Sequence, residues 1–270
     1  MDKEKIKPVG APPRGCPPNA SHDPATVVKV PGSKSLTQRA LTIAALAQGT
    51  STIRNALISD DTGYLMDGLR ALGTEISIES DKIVVTGTGG QIQNHGKTIF
   101  LGNNGTAMRF LITVASLGKG TFVLDGDHRL RERPVASLLQ ALKTLSVTAI
   151  GRNEAGYPPV IIETKGLSGG RVTMTNVESS QFVSSLLIGA PYAGGDIDIQ
   201  LKGRTVSEPY IDMTLKVMED FGAKIDRIGQ NNFKVKCDHR YKEKDYLIEG
   251  DASSASYFAL AAALVSAKSE

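Results

Sequence analysis

An internal repeat constrains the fold of this chain more than any other feature of its sequence. One pattern occurs three times: small polar residues, then an apolar helix, then a glycine turn into a β-rich stretch. Its copies occupy residues 33–53, 103–124 and 179–199. Their turn glycines, Gly49, Gly120 and Gly195, are roughly 70 to 75 residues apart. This regular spacing predicts that one supersecondary unit is built three times and that its copies pack on one another.

A second set of three segments runs in step with the first. These segments are residues 65–85, 138–162 and 215–235. Each begins as an amphipathic helix; in the first copy Leu65, Leu69 and Leu72 share one helical face. The hydrophobic period then changes from 3.6 to 2, as in the two short apolar runs 76–78 and 83–85. Each copy therefore predicts a helix followed by a β-hairpin, and the chain as a whole predicts an α/β (α+β) fold.

The two ends of the chain differ from the repeats. Residues 1–24 are rich in proline, and we interpret them as a Pro-rich leader or an added extension. Residues 25–32 predict a first strand, at 27–30, and a crossover into the repeats of residues 33–249. A fourth copy opens within residues 250–270 with a helix over 255–264, which we read as the truncated start of a second domain. One helix cannot bury its own apolar face, so we expect it to dock elsewhere or to meet a second polypeptide.

Composition excludes several classes of protein. The 31 Lys and Arg against 28 Asp and Glu give a formal net charge of +3, which is too balanced for a nucleic-acid-binding stripe. The longest apolar run, residues 257–265, is shorter than the roughly 20 residues that a membrane span needs. Cys16 and Cys237 lie far apart, and the four histidines lack ligand spacing, so no disulfide framework, metal site or cofactor is expected. No signal-peptide core precedes the repeats, which favours a cytoplasmic protein.

The helices of the first set begin with residues suited to an oxyanion, because a helix N-terminus presents unpaired N–H groups and a partial positive charge. In the first copy Lys34 supplies a mobile cation, and Ser35 and Arg39 are four residues apart on one helical face. The motif is not a Walker A loop, since the glycine spacing differs. An ordinary serine cap with a solvated lysine explains this segment equally well when it is considered alone.

The other two copies carry comparable groups. In the second copy Gly105 and Thr106 begin the helix after Asn103 and Asn104, and leave the backbone amides open. In the third copy two hydroxyls and an amide occur together, in Ser179, Ser180 and Gln181. Considered alone, each of these helix starts is explained equally well by ordinary capping of the helix. Because a repeat brings equivalent ends to one region, we expect the three starts to meet, and three neighbouring anion-ready ends favour a binding site.

Two connecting segments add further candidates. Arginines alternate with acidic residues over 125–134; Arg131 reads as a surface ion pair, whereas Arg129 and Arg133 could offer planar forks to a carboxylate or phosphate. The segment 204–212 places the hydroxyls of Ser207 and Tyr210 at the start of the third amphipathic helix.

Taken together, these motifs resemble the 5-enolpyruvylshikimate-3-phosphate synthase family of enolpyruvyl transferases. Six matching motifs occur in order along most of the chain: PGSKSLTQRA at 31–40, LGNNGTAMR at 101–109, RLRERP at 129–134, ESSQF at 178–182, SEPYID at 207–212 and EGDASSASY at 249–257. The resemblance implies two like domains, each an inside-out, barrel-like arrangement of three β-α-β-α-β-β units with helices inside. Residues 33–249 would then be the shikimate-3-phosphate-binding domain, and residues 250–270 the start of the second.

The resemblance also implies roles for individual residues. Lys34 would be catalytic and would touch both substrates. The residues expected to bind shikimate-3-phosphate are Lys34, Ser35, Arg39, Ser179, Ser180, Gln181, Ser207 and Tyr210. Those expected to bind phosphoenolpyruvate are Lys34, Asn103, Gly105, Arg133 and Gln181. The implied reaction transfers the enolpyruvyl group to the 5-hydroxyl and releases phosphate, with no metal or organic cofactor.

Departures from the family pattern carry expectations of their own. The family's acid–base carboxylates and the rest of its phosphoenolpyruvate clamp would follow residue 270, so this chain is expected to need a complementing C-terminal fragment. Asn104 and Phe110 replace a common Ala and Pro, which predicts altered sensitivity to glyphosate, towards tolerance. Two alternatives stay open: a non-catalytic module that binds a phosphorylated ligand, and a UDP-N-acetylglucosamine enolpyruvyl transferase, whose reactive Cys loop is absent near 125–134.

Overall fold

Three four-stranded sheets and six packed helices make up most of the structure, which is a computed structural model describing residues 27–80, 82–154 and 156–264. The strands are β1 Thr50–Arg54, β2 Glu75–Glu79, β3 Lys82–Thr86, β4 Ile99–Phe100, β5 Gly120–Asp125, β6 Thr148–Gly151, β7 Val160–Thr164, β8 Gly170–Val177, β9 Ile197–Thr205, β10 Ile225–Ile228, β11 Asn232–Val235 and β12 Asp245–Leu247. The α-helices are α1 Lys34–Leu46, α2 Asp60–Ala71, α3 Gly105–Ser116, α4 Ala136–Lys143, α5 Ser180–Gly189, α6 Pro209–Asp220 and α7 Ala252–Leu264. The leader predicted at residues 1–24, with Cys16, lies outside the described residues.

The three sheets share one topology. Their strand orders are β4-β5-β7-β6, β8-β9-β11-β10 and β12-β1-β3-β2. In each sheet the first pair is parallel and the other pairs are antiparallel. The hairpins predicted after each amphipathic helix are therefore present as β2–β3, β6–β7 and β10–β11. The predicted α/β class and the repeat are confirmed, while the closure of the sheets into an inside-out barrel stays a prediction.

The first sheet takes its first strand from the far end of the described chain, which corrects one prediction. The strand predicted at residues 27–30 is not formed; Val27 is 92% exposed, and Gly32 makes an isolated bridge with Gly250. Both edges of β1 are already paired, with β12 and β3, so no place beside β1 is left for that segment. The division of the chain into two domains stays a prediction.

Two kinds of helix follow from two sequence patterns. The first-set helices α1, α3 and α5 are buried on nearly all sides; α3 and α5 are mostly apolar, whereas α1 also buries polar side chains such as Gln38 and Arg39. The second-set helices α2, α4 and α6 bury one face, and Leu65, Leu69 and Leu72 all lie in the core as their spacing predicts. The sheets cover this core with one face; in β7 Val160 and Ile162 are buried and Ile161 is half exposed.

The helix predicted over 255–264 is present as α7. It begins after Asp251, whose Oδ1 accepts a hydrogen bond from the Ser253 backbone at 3.0 Å. None of its residues is buried; Tyr257 is 75% exposed and Leu264 is 76% exposed. Within the described residues, then, no element covers its apolar side chains. The helices of residues 27–264 include none with the length and apolarity to cross a bilayer.

Helices α3 and α5 approach each other closely through small residues. Thr113 Oγ1 lies 2.6 Å from Ser185 Oγ, and a Cβ added to Gly189 would lie 2.6 Å from Thr113 Cγ2. Close packing here matters for function because it sets how near the two helix starts come to each other.

We expect Gly189→Ala to destabilise the protein, because the added methyl group overpacks this contact. Overpacking costs about 1–3 kcal/mol, which exceeds the gain of up to about 1 kcal/mol from the higher helix propensity of alanine. Adding Thr113→Ser removes the opposing methyl group, keeps the hydroxyl and should restore most of the loss. Urea unfolding of the parent and the two variants measures both changes; equal stabilities of the single and double variants would contradict this packing argument.

Candidate functional site

The starts of α1, α3 and α5 meet at one cavity of about 440 Å³, which the start of α6 also borders. All eleven residues to which the resemblance assigns a substrate-binding role line it: Lys34, Ser35, Arg39, Asn103, Gly105, Arg133, Ser179, Ser180, Gln181, Ser207 and Tyr210. The repeat therefore brings its three polar helix starts to one place. Their individual roles towards a ligand stay predictions.

The first helix start is tied to two distant parts of the chain. Ser33 caps α1 by accepting a hydrogen bond from the Leu36 backbone at 3.4 Å, and its own backbone N–H donates to the Glu249 carbonyl at 2.9 Å. Lys34 Nζ forms an ion pair with Asp61 Oδ2 at 3.0 Å, at the beginning of α2. The lysine side chain is half exposed. The cation expected at this start is therefore present, and a carboxylate holds it at the cavity.

Arg39 lies deeper than its sequence position suggested. Its residue is 1% exposed, and its guanidinium carbon lies 5.5 Å from the Phe110 ring centroid and 5.7 Å from that of Tyr210. Burial lowers the pKa of Arg39 to about 10, so the group stays charged at neutral pH. Among the described residues no carboxylate pairs with it.

Asn104 organises the second helix start. Its Oδ1 accepts hydrogen bonds from the backbone N–H groups of Thr106 at 3.0 Å and Ala107 at 2.9 Å, as an N-cap does. Its Nδ2 donates to Gln38 Oε1 at 3.0 Å and to the Asp61 carbonyl at 2.6 Å. One buried amide thus joins the starts of α2 and α3 to the side of α1.

Two guanidinium groups stand beside the start of α3. Arg109 donates from Nη1 to Gln181 Oε1, and its guanidinium carbon lies 5.2 Å from the Phe182 ring centroid. Its buried Nε has no acceptor among the described residues. Burial and, to a smaller extent, the charge of Arg133 lower the pKa of Arg109 to about 10. A Cβ on Gly105 would lie 2.8 Å from Arg133 Nη1 and 3.2 Å from Arg109 Nη1. Glycine at this position therefore leaves room for both cations.

The third helix start joins the second through a glutamine. Ser179 Oγ caps α5 by accepting from the Gln181 backbone at 3.3 Å, and Gln181 Nε2 donates to Thr106 Oγ1 at 3.0 Å. Ser207 precedes α6 with a φ of +61°, a conformation uncommon for serine, and brings its side chain to the cavity. The side chains of this part of the cavity are hydroxyls and an amide, without charge.

The charges that line the cavity are unbalanced. Four lining side chains are cationic: Lys34, Arg39, Arg109 and Arg133. Asp61 is the one carboxylate among the described lining residues, and it is engaged with Lys34. Backbone N–H groups at three helix starts add partial positive charge. Such a cavity favours a ligand with more than one negative charge, and its hydroxyls can bind the polar groups of a sugar-like body.

Five further lining residues were not among the expected substrate-binding residues, although Asn104 and Thr106 were noted at the second helix start: Gln38, Asp61, Asn104, Thr106 and Arg109. Arg109 had a usable signal, because it follows Gly105 by one helical turn just as Arg39 follows Ser35. Gln38 also lies within the first helix start. Asp61 had no such signal, since it belongs to the second helix set and reaches the cavity only through tertiary packing.

Two of the three arginines in the loop at 129–133 have the surroundings expected from the sequence, and Arg129 does not. Arg131 forms a two-point ion pair with Asp125, at 2.9 and 2.5 Å, and this contact lowers the pKa of Asp125. Arg133 lines the cavity, and its guanidinium forms no hydrogen bond or ion pair with any described residue. Arg129, the other candidate fork, is exposed and does not line the cavity.

Comparison with known proteins identifies one family. A sequence model of EPSP synthase (3-phosphoshikimate 1-carboxyvinyltransferase) matches residues 19–268. A 3-phosphoshikimate 1-carboxyvinyltransferase of Sulfurovum sp. (strain NBC37-1) is 45% identical over 241 residues, which are 88% of this chain and 56% of that protein. One of Actinobacillus pleuropneumoniae serotype 5b (strain L20) is 46% identical over 245 residues, with the same coverage. The chain thus spans about half the length of these curated relatives.

A solved structure agrees with the sequence comparison. EPSP synthase from Acinetobacter baumannii superposes with a TM-score of 0.79 and 25% identity, over 88% of this chain and 52% of that one.

We expect inorganic phosphate to raise the melting temperature, because it can occupy the cationic cavity only in the folded state. Phosphate at about 100 times its Kd would add about 2.7 kcal/mol of stability. Arg133→Gln should reduce this rise, because it removes a cation from the cavity wall. The Arg133 side chain has no ion pair with a described residue, so its loss should cost the fold little. Arg129→Gln is the matched control from the same loop. Thermal melts in phosphate and in chloride of equal ionic strength measure the effect. An equal rise in both salts would rule out a phosphate site.

Proposed function

The chain belongs to the EPSP synthase (3-phosphoshikimate 1-carboxyvinyltransferase) family, and we propose that it forms one half of an active site of that kind. The reaction transfers the enolpyruvyl group of phosphoenolpyruvate to the 5-hydroxyl of shikimate-3-phosphate and releases phosphate. The observation that carries the proposal is the cavity, whose described lining combines three helix starts and four cationic side chains with a single carboxylate. We include a cytoplasmic location in the proposal. The relatives' names give no support to the alternative UDP-sugar transferase.

Shikimate-3-phosphate fits the side of the cavity formed by α1, α5 and α6. Hydroxyls there come from Ser35, Ser180, Ser207 and Tyr210, beside the α5 N-cap Ser179. A phosphate group is an acceptor of many hydrogen bonds and is favoured at a helix start. The sugar-like ring of the ligand carries hydroxyls that both donate and accept, which uncharged serine and tyrosine hydroxyls can match. Gln181 lies between this side and the next, and can contact either substrate.

Phosphoenolpyruvate fits the side formed by α3 and the loop before α4. It carries a phosphate and a carboxylate, and the cations nearest the start of α3 are Arg133 and Arg109. Gly105 allows the backbone to approach the ligand without a side chain in between. The Asn103 side chain also lines this side, and its buried Oδ1 has no hydrogen-bond partner within the part of the chain that the structure describes.

The reaction is an addition followed by an elimination. The oxygen of the 5-hydroxyl forms a bond to C2 of phosphoenolpyruvate as it loses its proton, and C3 gains a proton. The resulting tetrahedral species then loses a proton from C3, re-forms the double bond and expels phosphate. Lys34 is positioned by Asp61 to lie near both substrates, where its ammonium group can stabilise anionic charge and take part in proton transfer.

A complementing polypeptide is part of this proposal. Among the described lining residues the only carboxylate is Asp61, and it is occupied by Lys34. The remaining acid–base groups and the rest of the phosphoenolpyruvate clamp would have to come from a second, C-terminal fragment, whose approach would also exclude water from the cavity. Support for such a fragment comes from coverage, since the chain matches about half of each relative's length.

We expect the chain to release phosphate from the two substrates only together with a polypeptide equivalent to the remaining part of a relative. Lys34→Ala should abolish this turnover without changing the melting temperature, because the lysine is half exposed and its ion pair contributes little to stability. Lys119→Ala, which removes an exposed lysine from the turn between α3 and β5, is the control. Substrate binding without turnover by the pair would instead favour the non-catalytic module, and turnover by Lys34→Ala near that of the parent would remove Lys34 from the mechanism.

Sensitivity to glyphosate gives a separate prediction for the same complemented pair. Phe110 is buried in α3 against the Arg39 guanidinium, at a position where the family commonly has proline. We expect Phe110→Pro to shift the inhibition curve towards greater sensitivity, because it changes the packing behind the start of α3. Inhibition curves that superpose for the variant and the parent would contradict this expectation.

A further inference from the structure

Uncharged acceptors from several elements hold the Arg39 guanidinium. Its Nε donates to Thr214 Oγ1 at 2.7 Å, and its Nη2 donates to Ser184 Oγ at 3.4 Å and to the Tyr210 carbonyl at 3.3 Å. Its Nη1 donates to the Ser35 carbonyl at 2.9 Å. These bonds use four of the five N–H groups of a guanidinium. The fifth, on Nη1, has no acceptor among the described residues and is the N–H that Arg39 has left for a ligand.

The Thr214 hydroxyl is the centre of this arrangement. Besides accepting from Arg39, Thr214 Oγ1 lies 2.8 Å from Ser184 Oγ and 2.8 Å from the Tyr210 carbonyl oxygen. Its single proton can serve only one of these two acceptors at a time. Thr214 and Ser184 are both fully buried, so water cannot replace either oxygen. Removing one of them would leave a charged N–H group buried without its acceptor.

The two hydroxyls act at a distance from any ligand. Arg39 lines the cavity, whereas Thr214 and Ser184 do not. A planar guanidinium fixed through four N–H groups cannot turn to offer a two-point fork, and it presents one N–H in one direction. Fixing the side chain in this way increases both binding affinity and reaction rate, because the ligand does not have to order the side chain when it binds.

We propose that Thr214 and Ser184 are positioning residues, which fix the one remaining N–H of Arg39 for a phosphorylated ligand. The inference rests on the proposed function, which makes shikimate-3-phosphate that ligand. Helices α5 and α6 thereby contribute to binding from within the core, in addition to the hydroxyls that they place at the cavity.

The test compares variants that differ in one hydroxyl. Thr214→Val keeps the shape and removes the hydroxyl, Ser184→Ala does the same from α5, and Thr214→Ser keeps the hydroxyl. Thr42→Val is the matched control, because Thr42 is equally buried and donates only to the Gln38 carbonyl of its own helix, at 2.7 Å. We expect about tenfold weaker binding of shikimate-3-phosphate for Thr214→Val and Ser184→Ala, as for a lost hydrogen bond to a charged group. The Kd of Thr214→Ser and Thr42→Val should stay within about threefold of the parent in isothermal titration calorimetry.

Two results of this comparison would overturn the proposal. The first is a loss for Thr214→Ser as large as that for Thr214→Val, since the hydroxyl would then be irrelevant. The second comes from a double-mutant cycle with Arg39→Lys. If Thr214 acts through the guanidinium, Thr214→Val causes no further loss in the Arg39→Lys background. The same tenfold loss in both backgrounds would show that Thr214 acts independently of Arg39.

A measurement without ligand separates this inference from the proposed function. In the ¹H–¹⁵N spectrum of the free chain, the Arg39 Nε–H should give a resonance that exchanges slowly with water, because it is buried and bonded to Thr214. Absence of shikimate-3-phosphate binding by the parent would count against the proposed function alone. In that case loss of the slow Nε–H resonance in Thr214→Val supports the positioning role, and its retention overturns it.

Discussion

Three helix starts of like polarity share one cavity, and the surrounding structure is arranged to tolerate their mutual repulsion. Each start carries unpaired N–H groups with a partial positive charge, and four cationic side chains add to it. One carboxylate, that of Asp61, lies among the described residues of the cavity wall. The other groups that satisfy these starts are uncharged caps, namely Ser33, Asn104 and Ser179. The free cavity therefore keeps most of its positive charge for a ligand.

The same unneutralised cations are unfavourable for the stability of the free protein and favourable for the binding of an anion. Hydroxyl, amide and carbonyl oxygens hold Arg39 and Arg109, and burial of the two groups lowers both pKa values to about 10. Burying a cation without a counter-charge is unfavourable, and local violations of this kind are expected at functional sites. An anion that binds between them supplies the missing counter-charge. Ligand binding and folding are thereby coupled, and the core built from α1, α3 and α5 has to be rigid enough to hold two cations apart.

The periodicity of the sequence predicts the local helices and hairpins and much of the site. It does not predict which strands pair over long distances in the sequence. Helix and hairpin positions follow from short-range hydrophobic spacing, and the repeat itself places equivalent helix starts together. The pairing of β12 with β1 joins segments almost 200 residues apart, so the parallel partner of β1 was not predicted. The strand expected at 27–30 is not formed. Asp61 reaches the cavity from a different helix set. Arg39 was correctly placed at the cavity, but its burial depends on α5 and α6, which no spacing within α1 encodes.

The third copy of the repeat departs from the other two in the way that the charge of the cavity requires. Counted from each N-cap, Arg39 is the sixth residue of its helix and Arg109 the fifth, and the corresponding residues of α5 are Ser185 and Ser184. A third guanidinium at either position would be a third buried cation beside two that already lack a carboxylate. Ser184 instead accepts from Arg39, and Ser185 donates to the Arg109 carbonyl and allows the close approach of α3. The symmetry of the repeat brings the helix starts together, but it is the divergence of its third copy that lets two buried cations coexist there.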